Sequence, residues 1–400
     1  MKKIIITLLL IGSSCLSFGQ GGLSTFSGRI VNAQTREPIA GAYVSMPTIG
    51  YGTAVNHEGE FRFSYPAISV DSQVVISVLG YKNHISTAAE FATGGQNLIE
   101  LTPMIGSVNT LGISDAREFV KAAIDSIKAN APTEAVYQNG FYCEMVEFNR
   151  VGLVKVNEGL LRVERFPGAT PPTDKIKYLR GRKLEWRGQT SKMDGFGFEN
   201  GAAIVTRSLS TGLPDYLQAK ELKNYEFSMD SLITTFDDKI VYGVAFEPKN
   251  KRVKAARTGH LYIEPETKAI VRIEYEMTAE AAREVMSTGF SNIEVNGKSV
   301  SAYTQFRQFN GKWMLQDAVV KFVANFEDKL ENRFEVDADI TLRFIANVSL
   351  PLIRSSIPDD RQLTTTENFP RTWIYSDDIW EGQNYLLPTE KMREITHRVN

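Results

Sequence analysis

Along residues 259–277, GHLYIEPETKAIVRIEYEM, two runs rich in β-branched and aromatic residues flank the turn segment Glu264-Pro265-Glu266-Thr267-Lys268. In the second run Val271, Ile273, Tyr275 and Met277 alternate with Arg272, Glu274 and Glu276. A period of two predicts a β-hairpin with one buried and one wet face. The pattern recurs on both sides. Residues 138–148 and 152–165 pair around Asn149-Arg150, and residues 225–236 and 240–247 turn at Asp237-Asp238. Residues 299–309 and 312–326 meet at Asn310-Gly311, a strong two-residue hairpin signal. In residues 333–344, Phe334, Val336, Ala338, Ile340, Leu342 and Phe344 alternate with Arg333, Glu335, Asp337, Asp339 and Arg343. Long half-wet strands with few helices predict a large antiparallel curved sheet or half-barrel over residues 114–400.

Helical spacing is confined to a few places. Ala116, Phe119, Val120, Ala123, Ile124 and Ile127 share one face of a helix over 114–130, with Ser114 as its N-cap. Shorter helices are expected near 214–219 and over 279–287, and a C-terminal one over 389–399. The concave face of so long a sheet exceeds what these helices can cover, so either the sheet curls on itself or an apolar groove remains, able to take an acyl chain or an extended peptide.

Residues 24–102 have a different rhythm. Short runs at 27–31, 42–46, 52–55, 60–63, 74–79 and 97–101 are punctuated by turn residues such as Asn32, Pro38, Asn56, Gly59, Pro66 and Gly80. That spacing predicts a β-sandwich, followed by a linker over 103–113.

Composition narrows the classes. With 42% hydrophobic and 23% charged residues, the 400-residue chain can bury sizeable cores. A formal net charge of −2 excludes the basic excess of a nucleic-acid binder. Residues 1–19 read as an export signal: Lys2 and Lys3 precede the apolar run 4–11, and Ser17-Phe18-Gly19 favours cleavage between Gly19 and Gln20. The expected location is the periplasm or the periphery of the outer membrane. The alternative is a lipoprotein anchored through Cys15, although Gly12 stands where a large aliphatic residue is expected. After cleavage Cys143 is the one remaining cysteine and is expected as a small half-buried hydrophobe.

Gly28-Arg29-Ile30-Val31, Pro38-Ile39-Ala40-Gly41-Ala42-Tyr43-Val44, Gly52-Thr53, Asn56, Gly59-Glu60-Phe61 and Leu79-Gly80-Tyr81-Lys82 resemble the signature of a carboxypeptidase regulatory-like (transthyretin-like) domain. Asn56 replaces the more usual Asp. The resemblance implies a seven-stranded sandwich that is an accessory module, not a catalytic one. Phe246-Glu247-Pro248-Lys249, Gly259-His260-Leu261-Tyr262-Ile263 and residues 379–385 are similar to exported bacterial proteins that join such a domain to a large β-sheet domain. The sheet is also similar to half-barrels of envelope lipoprotein carriers.

No catalytic motif stands out. His57-Glu58-Gly59-Glu60 fits H-x-x-E, but His57 falls in a predicted hairpin turn, so no metal site is assigned. Gly195 and Gly197 lack the third glycine and the βαβ setting of a nucleotide loop. Adjacent acids such as Asp237-Asp238 and Asp377-Asp378 read as turn residues. The densest basic run supplies the ligand-binding candidates Arg180, Arg182, Trp186 and Arg187, with a solvated strand face as the plainer reading. No cofactor is expected. The expected function is a non-enzymatic binding or accessory protein of the cell envelope, its partner an envelope protein, a lipid or a glycan. The alternative is a periplasmic hydrolase acting on peptide or glycan.

Overall fold

The computed structural model describes residues 22–91, 95–104, 106–107, 115–149, 151–169, 173–185, 201–250, 253–286, 288–290, 293–328, 335–357, 377–380 and 382–399. The export signal, Gly19, Gln20, Cys15, Phe334 and the Gly195–Gly197 loop lie outside them. The chain is mainly β, with large antiparallel sheets that do not close and a few helices.

Seven strands open the described chain: β1 (Leu23–Asn32), β2 (Tyr43–Met46), β3 (Tyr51–Ala54), β4 (Glu60–Pro66), β5 (Gln73–Ser77), β6 (His84–Thr87) and β7 (Gln96–Leu101). They form two layers, β4-β1-β7 and β6-β5-β2-β3. Phe26, Ile30, Val44, Phe61, Phe63, Val74, Ile76 and Ile99 fill the space between. Gly59 takes φ +80 in the β3–β4 turn, and buried Asn56 accepts hydrogen bonds from the Glu58 and Glu60 amides. The short strand β6, half-exposed along its length, carries no alternating signal of its own.

The short strand β8 (Gly106–Ser107) lies within the expected linker and pairs with Leu232 and Ile233. Pro103 also bridges Tyr81. The segment is thus partly paired rather than free. The helix expected over 114–130 is two pieces, α1 (Ala116–Asp125) and α2 (Ile127–Asn130). Its N-cap is Asp115, not Ser114; the Asp115 carboxylate accepts from the Arg117 and Glu118 amides.

The large sheet is built from β9 (Val136–Phe148), β10 (Gly152–Phe166), β11 (Thr173–Glu185), β12 (Tyr225–Phe236), β13 (Lys239–Pro248), β14 (Arg257–Ile263), β15 (Ile270–Met277), β17 (Ile293–Phe309), β18 (Lys312–Asp328) and β19 (Glu335–Pro351). Strand β16 (Thr288–Phe290) pairs with β17. The spatial order runs β8-β12-β13-β14-β15-β17-β18-β19-β9-β10-β11, with every neighbour antiparallel. Register shifts at Leu160/Leu161, Gln305/Phe306 and Ala346/Val348 are bulges that bend strands. The turns carry positive φ at Asp237 and Asp238 and at Asn310 and Gly311, as tight two-residue hairpins require.

One face of the sheet is covered by α1, α3 (Gly201–Val205), α4 (Ala219–Leu222) and α5 (Ala279–Met286). Phe119, Val120, Val205, Leu222 and Ala282 join one core with Ile273, Phe322, Ile340 and Phe344. Where these helices lie, the expected apolar groove is filled. On the opposite face Phe141, Val156, Leu184 and Ile345 pack against Trp380, Leu386 and Met392, the last from α6 (Glu390–Val399).

The sandwich meets the large sheet along a wide seam. Tyr51 bridges Val348, and the Tyr43 hydroxyl donates to the Ala346 carbonyl. Asn384 clamps Ser64 from the other side, accepting from its amide and donating to its carbonyl.

Glu164 fixes the chain that leaves β19. Fully buried, it accepts from the Ser355 hydroxyl, from the Ser356 hydroxyl and amide, and from Arg162. Burial opposes its charge, but these donors outweigh it and hold the carboxyl down at about 2, from 4.5. A depressed pKa stabilises the fold above the unfolded value, and the stabilisation is lost as pH falls from 4.5 toward 2. The contribution is on the order of 3 kcal/mol. Glu164→Gln is expected to lose less stability than wild type across that window, measured by urea denaturation at a series of pH values. Parallel acid limbs for the two proteins would contradict it.

Candidate functional site

A cleft of about 320 Å³ opens at the β11 margin of the sheet, lined by Asp174, Ile176, Ala203, Thr206, Arg207, Ser208, Thr211, Gly212 and Leu213. Two elements make it. Strand β11 supplies Asp174 and Ile176, and α3 with the chain that follows it supplies the rest.

Arg165 on β10 fixes its floor. Its Nη1 donates to Asp174 Oδ2 at 2.5 Å, its Nη2 to the Thr206 carbonyl at 2.7 Å and its Nε to Gln138 Oε1 at 3.1 Å. Gln138 in turn donates to the Leu315 carbonyl and to Ser349 Oγ. A buried guanidinium needs a counter-charge and satisfied donors, and this one has both. Thr211 Oγ1 adds a second bond to Asp174 Oδ2 at 3.0 Å, while Ser208 and Ser210 share a hydroxyl contact of 3.0 Å. Among the described residues Asp174 Oδ1 is buried with no hydrogen-bond partner. Arg207 is exposed at the cleft. Ile176, Ala203 and Leu213 give apolar wall between the polar groups. The arrangement can bind a small polyhydroxylated or polar ligand with one charge-assisted contact.

The basic run is placed differently from the sequence reading. Arg180 is exposed and donates to the Ile379 carbonyl at 3.2 Å. Arg182 is buried, paired with buried Glu158, and stacks over the Trp380 ring at 5.5 Å. It therefore supports the packing of the C-terminal segment and does not face solvent. Trp186 and Arg187 lie outside the described residues. His57 is an exposed turn residue after β3. Among the described residues no group of three or more His, Cys, Asp or Glu side chains is placed to hold a metal ion. Asp237 accepts from Arg307 at 3.0 Å, while Asp377 and Asp378 begin a short 3-10 helix. Cys143 is fully buried rather than half-buried, and burial pushes its thiol well up, which keeps it protonated.

The cleft was missed in the sequence because its residues lie on two segments with no shared motif. Gln138, Arg165 and Asp174 are the usable signal. They are polar residues in strand positions, at the ends of runs that are otherwise apolar inward.

No family model matches the chain, and no curated protein matches it. Solved structures with a similar arrangement include one described as an outer membrane lipoprotein-sorting protein domain from Vibrio parahaemolyticus. It is 8% identical over 62% of this chain and 96% of that chain, with TM-score 0.29. A DUF1329 family protein from Desulfovibrio piger is 10% identical over 61% and 96%, with TM-score 0.30. Lipovitellin is 7% identical over 57% of this chain and 26% of that one, with TM-score 0.25. At these TM-scores the likeness carries no argument about what this chain binds.

Proposed function

We propose that this chain is a non-enzymatic binding protein of the cell envelope that holds a small glycan in the cleft at the β11 margin. The observation that carries the reading is the cleft itself, which has a floor fixed by buried Arg165 on half-buried Asp174 and a wall of hydroxyls with one exposed cation, Arg207. Its size suits one or two sugar rings, and alternating polar and apolar wall matches the two faces of a sugar. Export rests on the leader pattern of residues 1–19. The two-layered, seven-stranded arrangement of residues 23–101 supports the carboxypeptidase regulatory-like resemblance, and with it an accessory role for the sandwich.

Calorimetric titration of the exported chain with a panel of neutral and acidic mono- and disaccharides tests this. Arg207→Ala should weaken binding by roughly ten- to a hundredfold, since a hydrogen bond to a charged group contributes about 1.5–3 kcal/mol. No binding across the panel, or steady hydrolysis of it, would overturn the reading.

A further inference from the structure

The structure assigns a second binding site, for the carboxylate of a small organic acid, to the seam between the sandwich and the large sheet. A pocket of about 40 Å³ opens there between Tyr43 and Tyr51 of the sandwich and Arg307, Met314 and Gln316 of the sheet. A site for one water needs roughly 10–15 Å³, so this pocket has room for about three waters or for one small polar group.

Two donors serve it. Among the described residues Arg307 Nη1 and Gln316 Nε2 are buried with no hydrogen-bond partner. Arg307 is anchored on its other side: Nη2 donates to Asp237 Oδ1 at 3.0 Å, and the guanidinium lies 5.6 Å from the centre of the Tyr43 ring. Gln316 is 2% exposed and sits at the bulge between β17 and β18. Gln305 faces Asp317 there and Phe306 faces Leu315, so Gln316 is the extra residue whose side chain the bulge redirects. A relay sets the direction of its amide. Arg272 has only donors, and its Nη1 bonds Gln305 Oε1 at 3.0 Å. Gln305 therefore turns its Nε2 to Gln316 Oε1, also at 3.0 Å, which leaves Gln316 Nε2 as a donor that needs an acceptor. The Tyr43 hydroxyl is already committed to the Ala346 carbonyl.

A carboxylate fits these groups because its two oxygens can meet one donor each, and a bond to an ionised acceptor is the stronger kind. Asp237 balances Arg307. Lys239, which donates to Gln308 Oε1 at 2.9 Å beside the pocket, supplies a cation for the incoming charge. Pro47, Tyr51 and Phe309 are half-buried at the rim and offer apolar surface to the body of the acid. The pocket shares no lining residue with the β11 cleft, so its failure would leave the glycan reading untouched.

Calorimetric titration of the exported chain with hexanoate tests the site, with hexan-1-ol as the probe that lacks only the carboxylate. Hexanoate should bind at a single site and the alcohol should not bind. Gln316→Met keeps the length of the side chain and removes the donor, and should weaken hexanoate binding roughly ten- to a hundredfold. That change also takes an acceptor from Gln305, so Arg307→Lys, which keeps the charge beside Asp237 but loses the forked geometry, is the second variant and should weaken binding as well. Thermal melts confirm that each variant is folded. No binding of hexanoate, equal binding of the alcohol, or full affinity in a folded variant at either position would each overturn the inference.

Discussion

Replacing Arg165 by alanine is expected to destabilise the protein by about 3–5 kcal/mol and to abolish binding in the cleft. The cost comes from what is left behind. Asp174 Oδ2 loses its 2.5 Å partner, the Thr206 carbonyl its 2.7 Å donor and Gln138 its 3.1 Å donor. Among the described residues Asp174 already has one buried oxygen without a partner, and its other oxygen would keep only the Thr211 hydroxyl. Urea denaturation reports the stability and saccharide titration reports the binding. Arg165→Lys should rescue only part of either, because an ammonium cannot reproduce three planar contacts in fixed directions. An alanine variant with full stability and full saccharide binding would remove Arg165 as the organiser of the cleft.

The second large effect is expected at Arg343. Arg343 and Asp317 face each other on β19 and β18, buried, with Nε–Oδ1 at 3.1 Å and Nη2–Oδ2 at 2.7 Å. Tyr303 adds a bond to Asp317 Oδ2 at 2.9 Å. Arg343→Ala leaves a carboxylate buried without its counter-ion, a cost of about 3–5 kcal/mol. The double variant Arg343→Met with Asp317→Leu removes both charges and should recover most of that loss. Thermal melts of the two variants separate these outcomes. Equal destabilisation in both would mean the pair acts through packing and not through charge.

Arg343 also shows where sequence reading stops. In the 333–344 run it sits on the polar side of a clean alternation, which predicts a wet face. The alternation is correct: Ala338, Ile340, Leu342 and Phe344 are all buried. What the pattern cannot supply is the second layer. The sandwich and the segment around Trp380 cover the other face, so Arg343 and Arg182 end up inside. Period-two alternation encodes side, not solvent, and the cover comes from residues hundreds of positions away. Hairpins were legible because their determinants are local, as at Asn310-Gly311. The cleft was not, since Arg165 and Thr206 meet only after β10, β11 and α3 have been placed. The helix N-cap differs by one position because Ser114 and Asp115 both have side chains suited to it.

The seam between sandwich and sheet has a kinetic consequence. Tyr43 reaches the Ala346 carbonyl across 303 residues, and Ser64 meets Asn384 across 320. Contacts so distant along the chain close large loops and form late. During synthesis the sandwich strands β1–β7 emerge long before β19, so one half of the seam must wait, exposed, for the other. The surface that waits includes Tyr43 and Ala54, apolar in the finished protein. A nascent chain of this design is therefore most prone to aggregation in the interval before residues 335–392 arrive, which ties its yield to the rate of delivery of its C-terminal end as much as to the stability of the finished fold.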